Sequence, residues 1–184
     1  GSLGDLLDHM GPQDALAFTG SSGTAAKLRG HAGLVRQNVR VNVEADSLNT
    51  AVLAPDVEAL SDTFNLFVAN IALDMTQKTG QKCTAVRRVL VPRERVEEIV
   101  GELVAALGAV KVGDPSDSAT RMGPLASPDQ LRDVRAGIGK LSAAARTACG
   151  GAAPIRDKGC FVAPTLLVAS DPRPHWKMPS QGLD

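Results

Sequence analysis

Three features of this 184-residue chain could do chemistry: a cysteine, a glutamate and a glycine–serine turn. Cys83 closes "TGQKC" (Thr79–Cys83), a glycine-bearing loop that runs into an apolar stretch. At such a junction backbone N–H groups and local positive charge, here Lys82, can support a thiolate, which attacks carbonyl carbon well. A buried structural thiol is the competing reading and the commoner fate of a single cysteine. Glu44 ends the alternating stretch "VRVNVEA" (Val39–Ala45). A partly desolvated carboxylate at a strand end can serve as a general base, although most strand-end acids are simply solvated. In "FTGSSGTAAK" (Phe18–Lys27) a strand, Gly20-Ser21 and a helix follow one another. That turn offers backbone N–H groups and the positive end of a helix dipole, which suits a phosphate or pyrophosphate. It matches neither GxGxxG nor the P-loop, and similar turns serve as plain linkers.

The elements that must position these groups read as alternating strands and helices. "ALAFTG" (Ala15–Gly20) is a short strand, followed by a helix with N-cap candidates Ser21 and Ser22. Val39–Ala45 and Thr50–Pro55 are further strands. Val57, Leu60, Phe64, Phe67, Val68, Ile71 and Met75 recur at spacings of three and four, predicting an amphipathic helix from Val57 to Met75. Thr84–Pro92 is a β-branched strand, and Arg93–Leu107 is a helix with Val96, Ile99, Val100, Leu103 and Leu107 on one face. Gly113–Ser127 is dense in turn residues. Ser127 and Pro128 then open a helix that the sequence extends to just before Gly150-Gly151, and Cys160–Ser170 is a last strand region broken at Pro164. The alternation predicts an α/β fold with at least partly parallel pairing. The polar, proline-rich segment 172–184 is expected to be irregular.

Composition narrows the partners. Lys+Arg and Asp+Glu are both 20, the net charge is zero and aromatics are 3 %, so neither nucleic acid nor an anionic membrane surface is expected. Cys83, Cys149 and Cys160 are widely spaced, as are His9, His31 and His175, so no metal site is expected and a Cys/His pair has little support. The cysteine usage fits a reducing, cytoplasmic setting. No apolar run is long enough for a membrane span.

Taken in order, the motifs resemble those of the aldehyde dehydrogenases. "FTGS" (Phe18–Ser21) resembles that family's cofactor turn, Glu44 stands at its general-base position, and "GQKC" (Gly80–Cys83) is similar to its Gly-Gln-x-Cys nucleophile motif. "GDPSDSATRMGPLAS" (Gly113–Ser127) and "CFVAPTLL" (Cys160–Leu167) are similar to two later family segments. The resemblance runs from about residue 15 to 171, in family order. It implies the end of a Rossmann-type cofactor domain in residues 1–47 and a partial α/β catalytic domain in 48–171. It implies Cys83 as nucleophile and Glu44 as base, with Gly20, Ser21 and Thr24 on NAD or NADP, and it reverses the structural reading of Cys83. The implied reaction oxidises an aldehyde to a carboxylic acid.

Departures from the family pattern carry information. Where most members follow the base with Leu-Gly-Gly, this chain reads "EADSLN" (Glu44–Asn49), and Ala25 replaces the second glycine of the cofactor turn. "EADSLN" resembles a branch that oxidises coenzyme A-linked semialdehydes formed after ring opening in phenylacetate or benzoate degradation. The resemblance further implies a central fragment of a longer, homo-oligomeric enzyme, inactive alone because upstream cofactor strands and a downstream Glu-x-Phe-Gly-Pro motif are not among these residues. The alternative is a non-catalytic folded module that mediates self-association.

Overall fold

The computed structural model describes residues 5–169; the segment predicted to be irregular, 172–184, lies outside them. The fold is α/β. The chain divides into two compact units, one through Leu48 and one from Asn49 onward.

In the first unit β1 (Ala15–Gly20) leads into α1 (Ser22–Arg29), then α2 (Ala32–Arg36) and β2 (Arg40–Ala45). β1 and β2 pair in parallel, from Ala15 opposite Arg40 to Gly20 opposite Ala45. Helix α1 starts where the sequence predicts, because the Ser21 hydroxyl accepts the Thr24 N–H at 3.2 Å and satisfies one of the helix's unpaired donors. Ala25 and Leu28, three apart, are its buried face. The short helix α2 is an addition to the sequence reading, since five residues carry too little periodicity to mark a helix.

The second unit opens with β3 (Asn49–Val52), α3 (Asp62–Thr76), β4 (Val86–Leu90) and α4 (Val96–Gly108). β3 and β4 pair in parallel, and α3 and α4 pack together. Leu53, Phe64, Val68, Ile71, Ile99 and Leu103 form the shared core, with Phe67, Met75 and Val89 packed against it. Phe64, Ile71 and Leu103 are each 1 % exposed, and burying such a side chain contributes about 1.5–3 kcal/mol. Strict parallel pairing needs a crossover, and α3 supplies it between β3 and β4.

Helix α3 starts five residues later than the apolar spacing predicts. Leu60 takes a left-handed φ of 60° and is 74 % exposed, and the Ser61 hydroxyl caps the helix by accepting from Phe64 N–H at 3.2 Å. Val57 packs on the core from outside the helix. A cap thus overrode a periodicity that had continued by coincidence.

Beyond α4, α5 (Pro128–Ser142) begins at Ser127, whose hydroxyl accepts from Gln130 N–H at 3.2 Å. It ends well short of Gly150. Residues Ala145–Cys149, which the sequence assigns to the end of that helix, form strand β5. β5 pairs antiparallel with β6 (Leu166–Ala169), which lies within the predicted last strand region. Alanine-rich sequence suits a helix locally, but the partner strand satisfies the backbone of 145–149 and decides the outcome. Two of the three strand pairs among the described residues are parallel, as the alternation predicts. No helix among the described residues is long and apolar enough to cross a membrane.

Candidate active site

Cys83 sits in the connection between α3 and β4, and that connection is heavily tied. Helix α3 ends at Thr76 and the chain passes through a tight turn, Gln77–Gly80. Lys78, Thr79 and Gly80 have positive φ of 51°, 58° and 68°. Gly80 is required here, because its backbone is left-handed and an added Cβ would lie 3.2 Å from the Met75 carbonyl oxygen. For Lys78 and Thr79 such a conformation costs energy, so it must be held by its surroundings.

Side chains of the loop supply that hold. Thr79 is buried, and its hydroxyl donates to the Gly123 carbonyl at 3.0 Å and lies 3.3 Å from that of Pro124. The Gln81 carboxamide accepts from Ala126 N–H at 3.0 Å and donates to the Lys78 carbonyl at 3.1 Å. The Gly113–Ser127 segment is therefore a buttress for the cysteine loop, anchored in turn by buried Met122 and Leu125 packed with Val162. Lys82 bonds Asp74 at 2.7 Å and Gln77 at 2.8 Å. The Lys82 ammonium, which the sequence offers as support for the thiol, is thus paired with an acid on α3. Lys82, with the N–H of Val86, holds the Asp74 carboxyl below its ordinary value.

Two further residues grip the loop backbone. The β3–β4 register jumps from Asn49 opposite Val86 to Thr50 opposite Arg88, which leaves Arg87 as the extra residue of a bulge. The Arg87 guanidinium reaches back and donates to the carbonyls of Gly80 at 2.9 Å and Lys82 at 3.3 Å. The Asn49 carboxamide donates to the Cys83 carbonyl at 2.6 Å and the Ala85 carbonyl at 3.3 Å. Next to it Ala85 is fully buried, while Cys83 itself is exposed. The arrangement presents a thiol to solvent on a fixed backbone.

The other candidates lie in the first unit. Glu44 pairs with Thr19 in the β1–β2 ladder, one position before Gly20, so the carboxylate and the turn share one end of this sheet. Glu44 is exposed, contrary to the partial desolvation the sequence suggests, because its side of the two-stranded ladder carries no covering residues in this unit. Ser21 and Thr24 join through their hydroxyls at 3.0 Å. Gly20 closes against Phe18, whose ring an added Cβ would strike at 2.6 Å. Asp46, at a left-handed φ of 46°, clasps the turn from the end of β2: its N–H donates to the Gly20 carbonyl at 3.3 Å and its carboxylate accepts from Ser22 N–H at 3.1 Å. Space is open where a Cβ on Gly23 would lie. The donor set, an exposed serine and threonine with an approachable glycine at a helix start, suits the pyrophosphate of a dinucleotide. Among the described residues no group of three His, Cys, Asp or Glu is placed to hold a metal ion.

The model of the aldehyde dehydrogenase family matches residues 3–176. This chain belongs to that family. It is 40 % identical, over 173 residues, to the 3,4-dehydroadipyl-CoA semialdehyde dehydrogenase of Aromatoleum evansii, covering 91 % of this chain and 34 % of the relative. It is 30 % identical to the geranial dehydrogenase of Castellaniella defragrans, with the same shares covered. Among solved structures, the Mycobacterium tuberculosis aldehyde dehydrogenase complexed with NAD+ superposes with a TM-score of 0.73 at 30 % identity, over 84 % of this chain and 31 % of that one. Aldehyde dehydrogenase C of Pseudomonas syringae, complexed with NAD+ and octanal, gives 0.75 at 27 % identity, over 88 % and 32 %. The chain spans about a third of the length of these relatives.

Asn49, Asp74, Arg87 and Asp46 are the residues that reading the sequence for chemistry passes over. Gln81 stands inside the family motif and Thr79 directly before it, so the place was visible but not their partners. The strand bulge that frees Arg87 leaves no mark in "TAVRRVLVP" beyond two consecutive arginines.

Proposed function

We propose that the protein containing this chain oxidises an aldehyde to a carboxylic acid with NAD or NADP, using Cys83 as nucleophile and Glu44 as general base. The observation that carries this reading is an exposed Cys83 on a loop whose neighbours are held from both sides. On this reading residues 1–47 are the C-terminal part of a cofactor domain and 48–171 part of a catalytic domain. The Cys83 thiolate adds to the aldehyde carbonyl and forms a thiohemiacetal, whose oxyanion the backbone N–H groups around Cys83 stabilise. When bound, the nicotinamide supplies the hydride acceptor. Gly20, Ser21 and Thr24 would hold the pyrophosphate. Loss of hydride leaves a thioester on Cys83, and Glu44 takes a proton from the water that hydrolyses it.

The name of the Aromatoleum relative supports a coenzyme A-linked semialdehyde as substrate, and the resemblance of "EADSLN" is what suggests that it arises in aromatic-compound degradation. The test compares coenzyme A-linked and simple aliphatic aldehydes, following reduced nicotinamide by absorbance. The expected result is a higher kcat/KM for the linked substrate and no rate in Cys83→Ala. A rate that survives this substitution contradicts the reading.

A second observation favours self-association. Leu66 and Leu73, seven apart on α3 and so on one face, are 61 % and 54 % exposed. A homo-oligomer would cover them, and size-exclusion chromatography of Leu66→Glu/Leu73→Glu should then shift to the monomer. An unchanged elution volume counts against it.

A further inference from the structure

We propose that Asn49 is a positioning residue that sets the orientation of Cys83; the inference rests on the reading of Cys83 as the nucleophile. Asn49 is the first residue of β3, immediately before the register jump that leaves Arg87 unpaired in the ladder. Its carboxamide nitrogen carries two hydrogens, and it donates at 2.6 Å to the Cys83 carbonyl and at 3.3 Å to the Ala85 carbonyl. These two carbonyls bracket the turn that carries the chain from the cysteine into β4. The Cys83 carbonyl fixes the peptide plane after Cys83, and the Lys82 carbonyl, held by Arg87, fixes the plane before it; with both planes held, the direction of the Cα–Cβ bond that bears Sγ is set.

The other clamps act upstream. Arg87 holds the carbonyls of Gly80 and Lys82, Thr79 and Gln81 tie to Gly123–Ala126, and the Lys82 side chain is held by Asp74 and Gln77. They bring the chain to Cys83. Asn49 holds the far side of the same residue. A misplacement of about 1 Å can cost a reaction about a hundredfold, so a backbone held on both sides of Cys83 bears directly on its rate. The carboxamide suits this task because it presents only donors to two acceptors. A carboxylate of the same shape would face both carbonyls with like partial charge.

The test uses Asn49→Asp, Asn49→Gln and the control Leu53→Ala in the protein containing this chain. Leu53 lies on the same segment, 4 % exposed in the core, and touches stability without touching the loop bonds. Alkylation of the Cys83 peptide by iodoacetamide is followed by mass spectrometry, with Cys149 and Cys160 as internal references, beside kcat and KM. Asn49→Asp should slow Cys83 alkylation and kcat about tenfold or more, leaving the cofactor KM within about twofold. Asn49→Gln should recover part of the loss. Leu53→Ala should lower Tm but leave the Cys83 rate within about twofold of the parent. Should the aspartate variant not fold, Asn49→Ser, which removes the carboxamide without adding charge, carries the same expectation. Parent-like alkylation and kcat in the Asn49 variants, or an equal loss in Leu53→Ala, overturns the inference. The reading of Cys83 fails separately, by turnover surviving in Cys83→Ala.

Discussion

The cysteine loop and the glycine–serine turn carry the two halves of the proposed chemistry, and they are built differently. Side chains from α3, β3 and β4 and backbone groups of the Gly113–Ser127 segment all bond the loop around Cys83, in a unit with its own buried core. The turn around Gly20 and the strand end at Glu44 are exposed, and their hydrogen bonds run mainly among Ser21, Ser22, Thr24 and Asp46. The proposed nucleophile is thus held within its own unit, while the proposed base and cofactor turn rest on a two-stranded ladder with thin support. Preorganisation matters most where a covalent bond must form at one angle, and less where a water or a flexible dinucleotide is the ligand.

Breaking the comparison at its strongest point gives the largest effect. Cys83→Ala should lower kcat about ten-thousandfold or more while leaving cofactor affinity intact. An affinity loss of similar size would mean that the two regions are not separable in this way. Glu44→Gln should lower steady-state turnover about 10²–10⁴-fold but preserve a first-turnover burst of reduced nicotinamide, because the thioester forms and is not hydrolysed. Loss of the burst would place Glu44 before the thioester.

The next effects probe how each region is held. Thr79→Val leaves two carbonyls with a methyl in place of a hydroxyl, and should cost about 1–3 kcal/mol by denaturant unfolding. Asp46→Ala removes one exposed bond at the turn and should cost about 0.5–1.5 kcal/mol. If Asp46→Ala costs the more, the contrast between a tied loop and a loosely held turn is reversed.

The smallest effect is one of pH. The hydrogen bond from Lys82 is the chief cause that holds Asp74 below its ordinary 3.8. A carboxyl depressed in the folded state stabilises the fold at pH above its ordinary value, and that contribution is lost as pH falls through the folded value. Asp74→Asn should therefore flatten the acid limb of a Tm-against-pH curve below about pH 4 and shift it little in shape above. A parent-like acid limb in the variant would show that the Lys82–Asp74 pair does not couple to folding.

What could be read from the sequence follows the range of the interactions. The β1–turn–α1 unit was legible because Ser21 caps its own helix three residues on. The core faces of α3 and α4 were legible through Phe64, Val68, Ile71, Ile99 and Leu103, which repeat at helical spacing. The start of α3 was not, because Val57 and Leu60 keep that spacing while Leu60 turns left-handed. β5 was not, because Ala145–Cys149 is helix-compatible until Leu166–Ala169 pairs with it. Within the site, the motif "TGQKC" marked the place, but the bonds from Thr79 to Gly123 and from Asn49 to Cys83 span 44 and 34 residues, and no local pattern encodes them.

The central claim is that Cys83 forms the covalent intermediate, and trapping tests it most directly. Glu44→Gln is mixed with cofactor and a coenzyme A-linked semialdehyde, quenched in acid and digested. The account predicts an acyl mass increment on the Cys83 peptide, absent without cofactor and absent from the Cys149 and Cys160 peptides. An unmodified Cys83 peptide under conditions where reduced nicotinamide has formed, or an acyl group on another cysteine, contradicts it.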